Sequence, residues 1–185
     1  MKLILVTLAL VLTSCSSSVP KTHYYLLSPD MGPYEPVVAS RAGYFIETVV
    51  LPDHLNQQAL TMFSGAHEVQ VASYHYWAQP LSQGIAQVAG YELNRRCACE
   101  IRSSHQGDRK IADATNLRLF IDQMSVSDSG KVVLSGMFEL DSEKRQRFYF
   151  TEQLQQPGYE QAIAVQRKLL AKMTQQVLNM DSENN

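Results

Sequence analysis

The sequence predicts an α+β fold, in which a mostly antiparallel sheet carries two amphipathic helices on one face as a two-layer sandwich. A period-2 run of residues from Val132 to Leu140, made of Val132, Leu134, Gly136, Phe138 and Leu140, is typical of a half-buried strand. Apolar residues at helical spacing between Tyr159 and Met180 predict a long helix with one apolar stripe. Strands followed by a helix occur twice in succession, an order that favours both helices packing on one sheet.

Two strands and a hairpin are predicted before the first helix. A β-prone run at residues 23–28 and an aromatic, β-branched run at 44–51 each end at a proline. Proline and glycine punctuate residues 29–43, which predicts a loop. Residues 59–64 and 69–76 flank a glycine, so they are predicted to form a hairpin.

The first helix is predicted to begin at Pro80, because a proline in the first helical turn removes no intrahelical hydrogen bond. It should end near Arg95 and Arg96, whose cations complement the helix dipole. An apolar stripe faces the core and consists of Leu81, Ile85, Val88 and Leu93.

The second half of the chain repeats the pattern of strands and a helix. Residues 99–103 and 117–126 are predicted strands, and in the second the apolar parity changes after Asp122, which indicates a β-bulge. A turn at 128–131 joins the strand that ends at Leu140, and a further strand follows it. The apolar stripe of the last helix could bind a membrane surface, form a coiled coil or pack on the core. The polar face of this helix is mixed in charge and not strongly basic, which favours packing on the core. Its members are Tyr159, Ile163, Leu170, Met173, Val177 and Met180.

The N-terminus resembles a bacterial lipoprotein signal. Lys2 forms a short basic region, and residues 3–12 form a mostly apolar one that is shorter than the about 20 residues of a membrane-spanning helix. Residues 12–15, Leu-Thr-Ser-Cys, resemble the lipobox, in which a peptidase cleaves before a diacylglycerol-modified cysteine. We therefore expect residues 1–14 to be a signal peptide and Cys15 to carry N-acyl and S-diacylglycerol groups. The alternative is an ordinary signal peptide with a cysteine there by chance.

Ser16 follows the expected lipidated cysteine. By resemblance to enterobacterial sorting, a residue other than aspartate here directs a lipoprotein to the periplasmic face of the outer membrane. Residues 15–22 are then the lipidated cysteine and its tether, whose seven residues after Cys15 extend at most about 25 Å. Residues 23–185 are predicted to form a single periplasmic domain close to that membrane.

Charge and cysteine content limit the function classes. Cleavage removes one charged side chain, Lys2, and changes the formal net charge from −2 to −3, which offers no basic surface for nucleic acid. Cys97 and Cys99 remain in an oxidising compartment. In an extended strand their Cα atoms would lie about 6.6 Å apart, at the upper limit for a disulfide, and a turn would bring them closer. A local disulfide and two buried thiols both stay open, whereas a metal site lacks ligands, since only His105 is near in sequence.

No catalytic constellation is apparent, and we predict no catalytic residue, metal or cofactor. Ser135 lacks the flanking glycine and the strand-to-helix turn of a nucleophile elbow, and Ser129-Gly130-Lys131 lies between hairpin strands rather than before a helix. His75 shares a strand face with Trp77, and we expect both side chains to pack rather than to react or bind a ligand. The sheet face away from the helices should be polar and should not line a lipid cavity, since it includes Ser135, Glu139, Arg145 and Arg147.

Five segments together resemble the ABC-type transport auxiliary lipoproteins, and among them the PqiC-like (YmbA-like) group of the paraquat-inducible Pqi system. Their order and spacing carry the resemblance, which runs from the lipobox to the last helix. His54 departs from the aromatic residue expected at its position, which affects no chemistry. The segments are His23-Tyr24-Tyr25-Leu26-Leu27, Val49-Val50-Leu51-Pro52-Asp53-His54-Leu55, Trp77-Ala78-Gln79-Pro80-Leu81, Gly130-Lys131-Val132-Val133-Leu134-Ser135-Gly136 and Gly158-Tyr159-Glu160.

The resemblance implies a non-enzymatic role in moving lipids between membranes. Such lipoproteins work at the outer membrane with a periplasm-spanning MCE protein (PqiB-like) and an inner-membrane partner (PqiA-like). We expect this chain to dock the distal end of the MCE tunnel as a homo-oligomer. A structural or assembly-chaperone lipoprotein for an outer-membrane protein is an alternative. A membrane-tethered hydrolase is another, against which the missing nucleophile–base pair counts.

Overall fold

The computed structural model describes residues 20–27, 42–65 and 67–182. The described residues form an α+β fold, as predicted. Its strands are β1 (His23–Tyr25), β2 (Ala42–Val50), β3 (Ala59–Ser64), β4 (Glu68–Trp77), β5 (Glu100–Ser103), β6 (Thr115–Val126), β7 (Lys131–Leu140) and β8 (Lys144–Gln153). Its helices are α1 (Leu81–Cys97) and α2 (Tyr159–Ser182), and a 3-10 turn spans Ser104–Gln106.

The strands divide into two mixed sheets, where the sequence predicted one mostly antiparallel sheet. The large sheet has the order β5-β2-β6-β7-β8, and the small sheet has the order β1-β4-β3. The hairpins β3–β4, β6–β7 and β7–β8 are antiparallel, whereas β2 pairs in parallel with β5 and β6, and β1 with β4. Short turns allow only antiparallel pairing, and long connections such as the one through α1 permit parallel pairing. Alternation in sequence reveals a strand but not the direction of its partner.

Both helices pack on the same face of the large sheet, which confirms that part of the two-layer prediction. Helix α1 contacts β2 and β5, α2 contacts β7 and β8, and the two helices contact each other. Phe138 projects from the sheet into the resulting core and is fully buried. The predicted stripes supply most of the helical side of this core: Leu81, Ile85, Val88, Leu93, Ile163, Leu170, Met173 and Val177 are all buried.

The predicted bulge in β6 is confirmed. The register between β6 and β7 shifts between Ile121 and Gln123, so that Asp122 has no residue opposite it. Gly136 faces this point, and a Cβ atom there would lie 2.1 Å from the carbonyl oxygen of Phe120 and 2.8 Å from the Phe148 ring. Only glycine permits so close an approach of the two backbones.

The end of α1 resolves the question of the two cysteines. Ala98 adopts left-handed backbone angles (φ 47°, ψ 41°), and this turn brings the Cα atoms of Cys97 and Cys99 within 5.2 Å in a disulfide. The Asn94 side chain donates a hydrogen bond to the carbonyl of Cys99 at 3.0 Å. At the other end, Pro80 is the N-cap residue and the helix begins at Leu81, one residue later than predicted.

Glu139 lies on the sheet face away from the helices, as predicted, but it is only 1% exposed. Arg118 and Arg145 occupy the register positions on either side, and their nitrogens lie 2.9 and 2.5 Å from the carboxylate oxygens. A buried carboxylate requires such pairing. The alternation of residues along the strand predicts on which sheet face Glu139 lies. It does not predict that the side chains of Arg118 and Arg145 bury it.

Replacing Leu170 tests the burial of the α2 stripe. Leu170 is fully buried, so Leu170→Ala should lower the free energy of unfolding by about 2–5 kcal/mol. Urea denaturation of the two proteins measures this loss. The control is Leu26→Ala, the same substitution at a site that is 43% exposed, which should change stability far less. Equal losses in the two variants would contradict the assignment of Leu170 to the core.

Candidate functional site

An apolar cavity lies where the two sheets meet, and we call it the β3 cleft. Strands β3 and β6 touch through a parallel bridge between Phe63 and Ser127, and the Asp128 N–H donates to the Phe63 carbonyl at 3.2 Å. From there toward Ala59 the strands separate and leave a cavity of about 430 Å³. This volume falls within the about 300–1,000 Å³ that ligand pockets occupy.

The β3 cleft has an apolar floor and a polar, mostly uncharged rim. Side chains from both sheets and from the starts of α1 and α2 form the floor, which includes Leu60, Trp77, Leu81, Met124, Val126 and Ile163. Amides and hydroxyls form the rim, which includes Ser127, Ser129, Gln153, Gln155, Gln156 and Gln166. Asp128 is the one charged residue in the lining, and no lysine, arginine or histidine of the described residues contributes.

Hydrogen bonds hold the two loops of the rim together. The Leu154 N–H donates to the Gly130 carbonyl at 2.9 Å, and the Gln153 side chain donates to the Ser129 carbonyl at 2.7 Å. Gly130 has a φ of +76° in this turn, a conformation that favours glycine. The β6–β7 turn and the segment after β8 therefore form one wall of the cleft.

An aromatic cluster borders the cleft at the start of α2. The His75 ring stacks on the Tyr159 ring with centroids 3.9 Å apart and on the His23 ring at 5.1 Å. The Tyr25 hydroxyl lies 2.8 Å from His75 Nδ1, and its ring lies 5.9 Å from that of Tyr159. Tyr159 also lines the cleft, so the cluster connects β1 and β4 with the cleft wall.

Burial disfavours the charged forms of two members of this cluster, His75 and Tyr25, and shifts the pKa of each accordingly. Desolvation, assisted by the nearby His23, lowers the pKa of His75. The pKa of Tyr25 is raised, chiefly by desolvation and to a smaller extent by electrostatic interaction with the nearby Glu160 and Tyr159. A neutral imidazole with its proton on Nε2 can accept the phenolic hydrogen at Nδ1. The geometry around His75 is therefore that of a packed histidine, as the sequence predicted.

Among residues 20–27, 42–65 and 67–182, no three His, Cys, Asp or Glu side chains come together in a way that could hold a metal ion. The nearest neighbours of His75 are aromatic rings and a phenol. No helix in this part of the chain is both long and apolar enough to cross a membrane.

The residues predicted from sequence to carry function, Cys15 and Ser16, are outside the described residues. Pro20 to Thr22 are exposed and lead directly into β1, at the edge of the small sheet. Trp77 packs in the core, as predicted, but one side of it also forms the cleft floor.

Sequence reasoning missed the β3 cleft. Its lining comes from five separate segments, whose meeting depends on how the two sheets are joined. The sequence did contain one local signal. Ala59, Leu60 and Met62 place apolar side chains on both faces of β3, although β3 is not a central strand of its sheet.

The chain is similar to known proteins in sequence and in fold. A family model described as "ABC-type transport auxiliary lipoprotein component" matches residues 25–178. No curated protein matches the chain. A crystal structure of an uncharacterized protein is similar with a TM-score of 0.74 and 18% identity, covering 87% of this chain and 99% of its own. A protein from Xanthomonas campestris, described with the family model DUF330, is similar with a TM-score of 0.57 and 14% identity, covering 90% and 96%. Both likenesses show a shared fold.

The lowered pKa of His75 predicts a loss of stability in mild acid. The unfolded chain binds this proton more readily, because the ordinary pKa is 6.5 and the folded value lies below it. The contribution of neutral His75 is complete above pH 6.5 and is lost as the pH falls through the lowered value. His75→Phe keeps a stacked ring and should therefore show a smaller drop in Tm between about pH 7.5 and pH 5 than the parent.

Exposed His67 provides the control, since His67→Phe should leave the pH dependence unchanged. His105, whose pKa burial also lowers, is present in every variant and contributes equally to each. The same pH dependence in His75→Phe and the parent would contradict the assignment.

Proposed function

Because this chain belongs to the family of ABC-type transport auxiliary lipoprotein components, we propose that it is the outer-membrane lipoprotein of an MCE-type intermembrane lipid-transport complex. Its role there is to dock a PqiB-like, periplasm-spanning MCE protein that works with a PqiA-like inner-membrane protein. The family match over residues 25–178 is the observation that carries this proposal. The chain acts as a non-catalytic, homo-oligomeric subunit that supports envelope integrity.

The N-terminal segment supports a position at the membrane surface. Residues 1–14 are a signal peptide in this proposal, Cys15 is lipidated, and residues 23–185 form the periplasmic domain. Three acyl chains make a lasting anchor, since each buried methylene contributes about 0.8 kcal/mol and one chain alone binds only marginally. Because β1 begins at His23, the small sheet lies at most about 25 Å of tether from the anchor.

The interior of the domain supports docking rather than lipid carriage. The helix-facing side chains of the large sheet are used in the domain's own core, where Leu117, Leu119 and Phe138 are fully buried. The β3 cleft is apolar, but the described residues that line it include no cation that could pair with a phosphate group, and their one charge is the carboxylate of Asp128. A phospholipid bound there would place like charges side by side.

Fractionation of an anchor variant tests the membrane assignment. Ser16→Asp should move the protein from the outer-membrane to the inner-membrane fraction, because the sorting signal is read at this position. Cys15→Ala is the control and should leave an unacylated precursor by intact mass. An unchanged distribution of Ser16→Asp on a sucrose gradient would contradict outer-membrane sorting by this residue.

Co-purification tests docking against carriage. The full-length lipoprotein, extracted in detergent, should co-purify with the PqiB-like MCE protein. A variant of residues 16–185 with no acylated cysteine, purified without detergent, should yield little phospholipid by mass spectrometry. Near-stoichiometric phospholipid in that variant would make the protein a carrier. Selective co-purification of an outer-membrane protein instead of the MCE protein would favour the assembly-chaperone alternative.

A further inference from the structure

We propose that the β3 cleft binds an extended, apolar segment of the periplasm-spanning partner, which adds a strand to the edge of β3 that lies opposite β4. This inference rests on the proposed docking function and assigns the partner's binding site. Binding of this kind takes its affinity from backbone hydrogen bonds and its specificity from alternate side chains that enter pockets.

The cleft meets the edge of β3 and not one of its faces. Side chains of a strand alternate between its two faces, so a cavity on one face would contact every second residue. The cleft contacts Ala59, Leu60, Thr61 and Met62 in succession. Four consecutive contacts place the cavity beside the backbone, where an added strand would lie.

The backbone of β3 has hydrogen-bonding groups available on this side. The Phe63 carbonyl accepts from Asp128 on the side of β6. Backbone groups of a strand alternate between its two edges, so those of Thr61, two residues earlier, point the same way. Within the described residues, the only strand that pairs with β3 at Thr61 is β4, on the opposite edge. An incoming strand would continue the pairing that starts at Phe63.

The sequence of β3 lacks the charges and prolines that protect other edge strands, although its pairing with β4 shifts register between Ala59 and Thr61. Exposed edges usually carry charges, prolines or bulges that discourage pairing with another chain. The edge strands β5 and β8 carry such charges, including Glu100, Arg102, Arg145 and Arg147. By contrast, β3 reads Ala-Leu-Thr-Met-Phe-Ser, with neither a charge nor a proline. Its edge is therefore suited to pairing.

The lining defines the chemistry of the bound segment. Alternate side chains of an added strand would enter the apolar floor formed by Leu60, Trp77, Met124 and Ile163, and these should be aliphatic or aromatic. Amides at the rim, from Gln153 and its neighbours, can bond to a peptide backbone. Asp128 disfavours acidic residues in the segment, as it disfavours a phosphate group.

Filling the cavity tests the assignment. Ala162 lies in α2, is 8% exposed and lines the cleft, so the Ala162→Phe ring should occupy the space of the partner's side chains. Ala164 is exposed on the same helix, and Ala164→Phe is the matched control. With full-length proteins in detergent, Ala162→Phe should weaken binding of the PqiB-like protein at least about tenfold, and Ala164→Phe by less than about twofold.

A photo-crosslinking residue avoids dependence on the folding of Ala162→Phe. Placed at exposed Gln156 on the rim, p-benzoylphenylalanine should crosslink to the partner. Placed at Tyr149, which is 64% exposed on the sheet face away from the helices, it should not.

The outcomes separate this inference from the proposed function. If the parent protein does not bind the MCE protein, both fall. If the parent and Ala162→Phe bind it equally and Gln156 gives no crosslink, the docking function stands and the cleft assignment is overturned. Loss of self-association or of bound lipid in Ala162→Phe, with partner binding intact, would assign the cleft to a second copy or to lipid and would likewise overturn it.

Discussion

Pairing along both edges of β6 positions the rest of the structure. On one side the first half of β6, Thr115 to Phe120, runs parallel to β2, and on the other Leu117 to Val126 run antiparallel to β7. Leu117 and Leu119 project from it into the helix-facing core and are fully buried. Its C-terminal end also meets β3 at Ser127, which makes the same strand the support of the small sheet. The positions of the helices, of both sheets and of the cleft therefore all depend on β6.

The β3 cleft follows from this arrangement. Strands twist, so two strands joined at one point diverge away from it unless further hydrogen bonds hold them together. From the bridge at Phe63, β3 diverges from β6, and α2 closes the far side of the gap with Ala162 and Ile163. An unfilled apolar space costs stability in proportion to its size. At a strand edge blocked by charges or prolines, such a space would only lower stability. The edge of β3 carries neither, so the space beside it can receive a strand of a partner, as proposed above.

The local elements could be predicted from sequence because each depends on neighbouring residues. Alternation and turn residues were sufficient for β7 and for the hairpins, and the change of parity at Asp122 identified the bulge. The division into two sheets could not be predicted, because parallel pairing of β2 with β6 joins residues separated by two strands, a helix and β5. The burial of Glu139 depends in the same way on arginines from two other strands. The cleft was missed for this reason as well, since its walls come from distant segments.

Anchoring changes how strong the binding at the cleft must be. An extended segment that becomes ordered on binding loses conformational entropy, so edge addition with one or two apolar side chains is a modest interaction in free solution. A lipid anchor with a short tether, as proposed here, confines the domain to the membrane surface, where a partner that reaches the membrane meets it at high effective concentration. Several copies around one partner would add their binding energies if the geometry allows them to bind together. A modest interaction at an apolar cleft is therefore compatible with stable docking, because the anchor and the number of copies supply what the individual site does not.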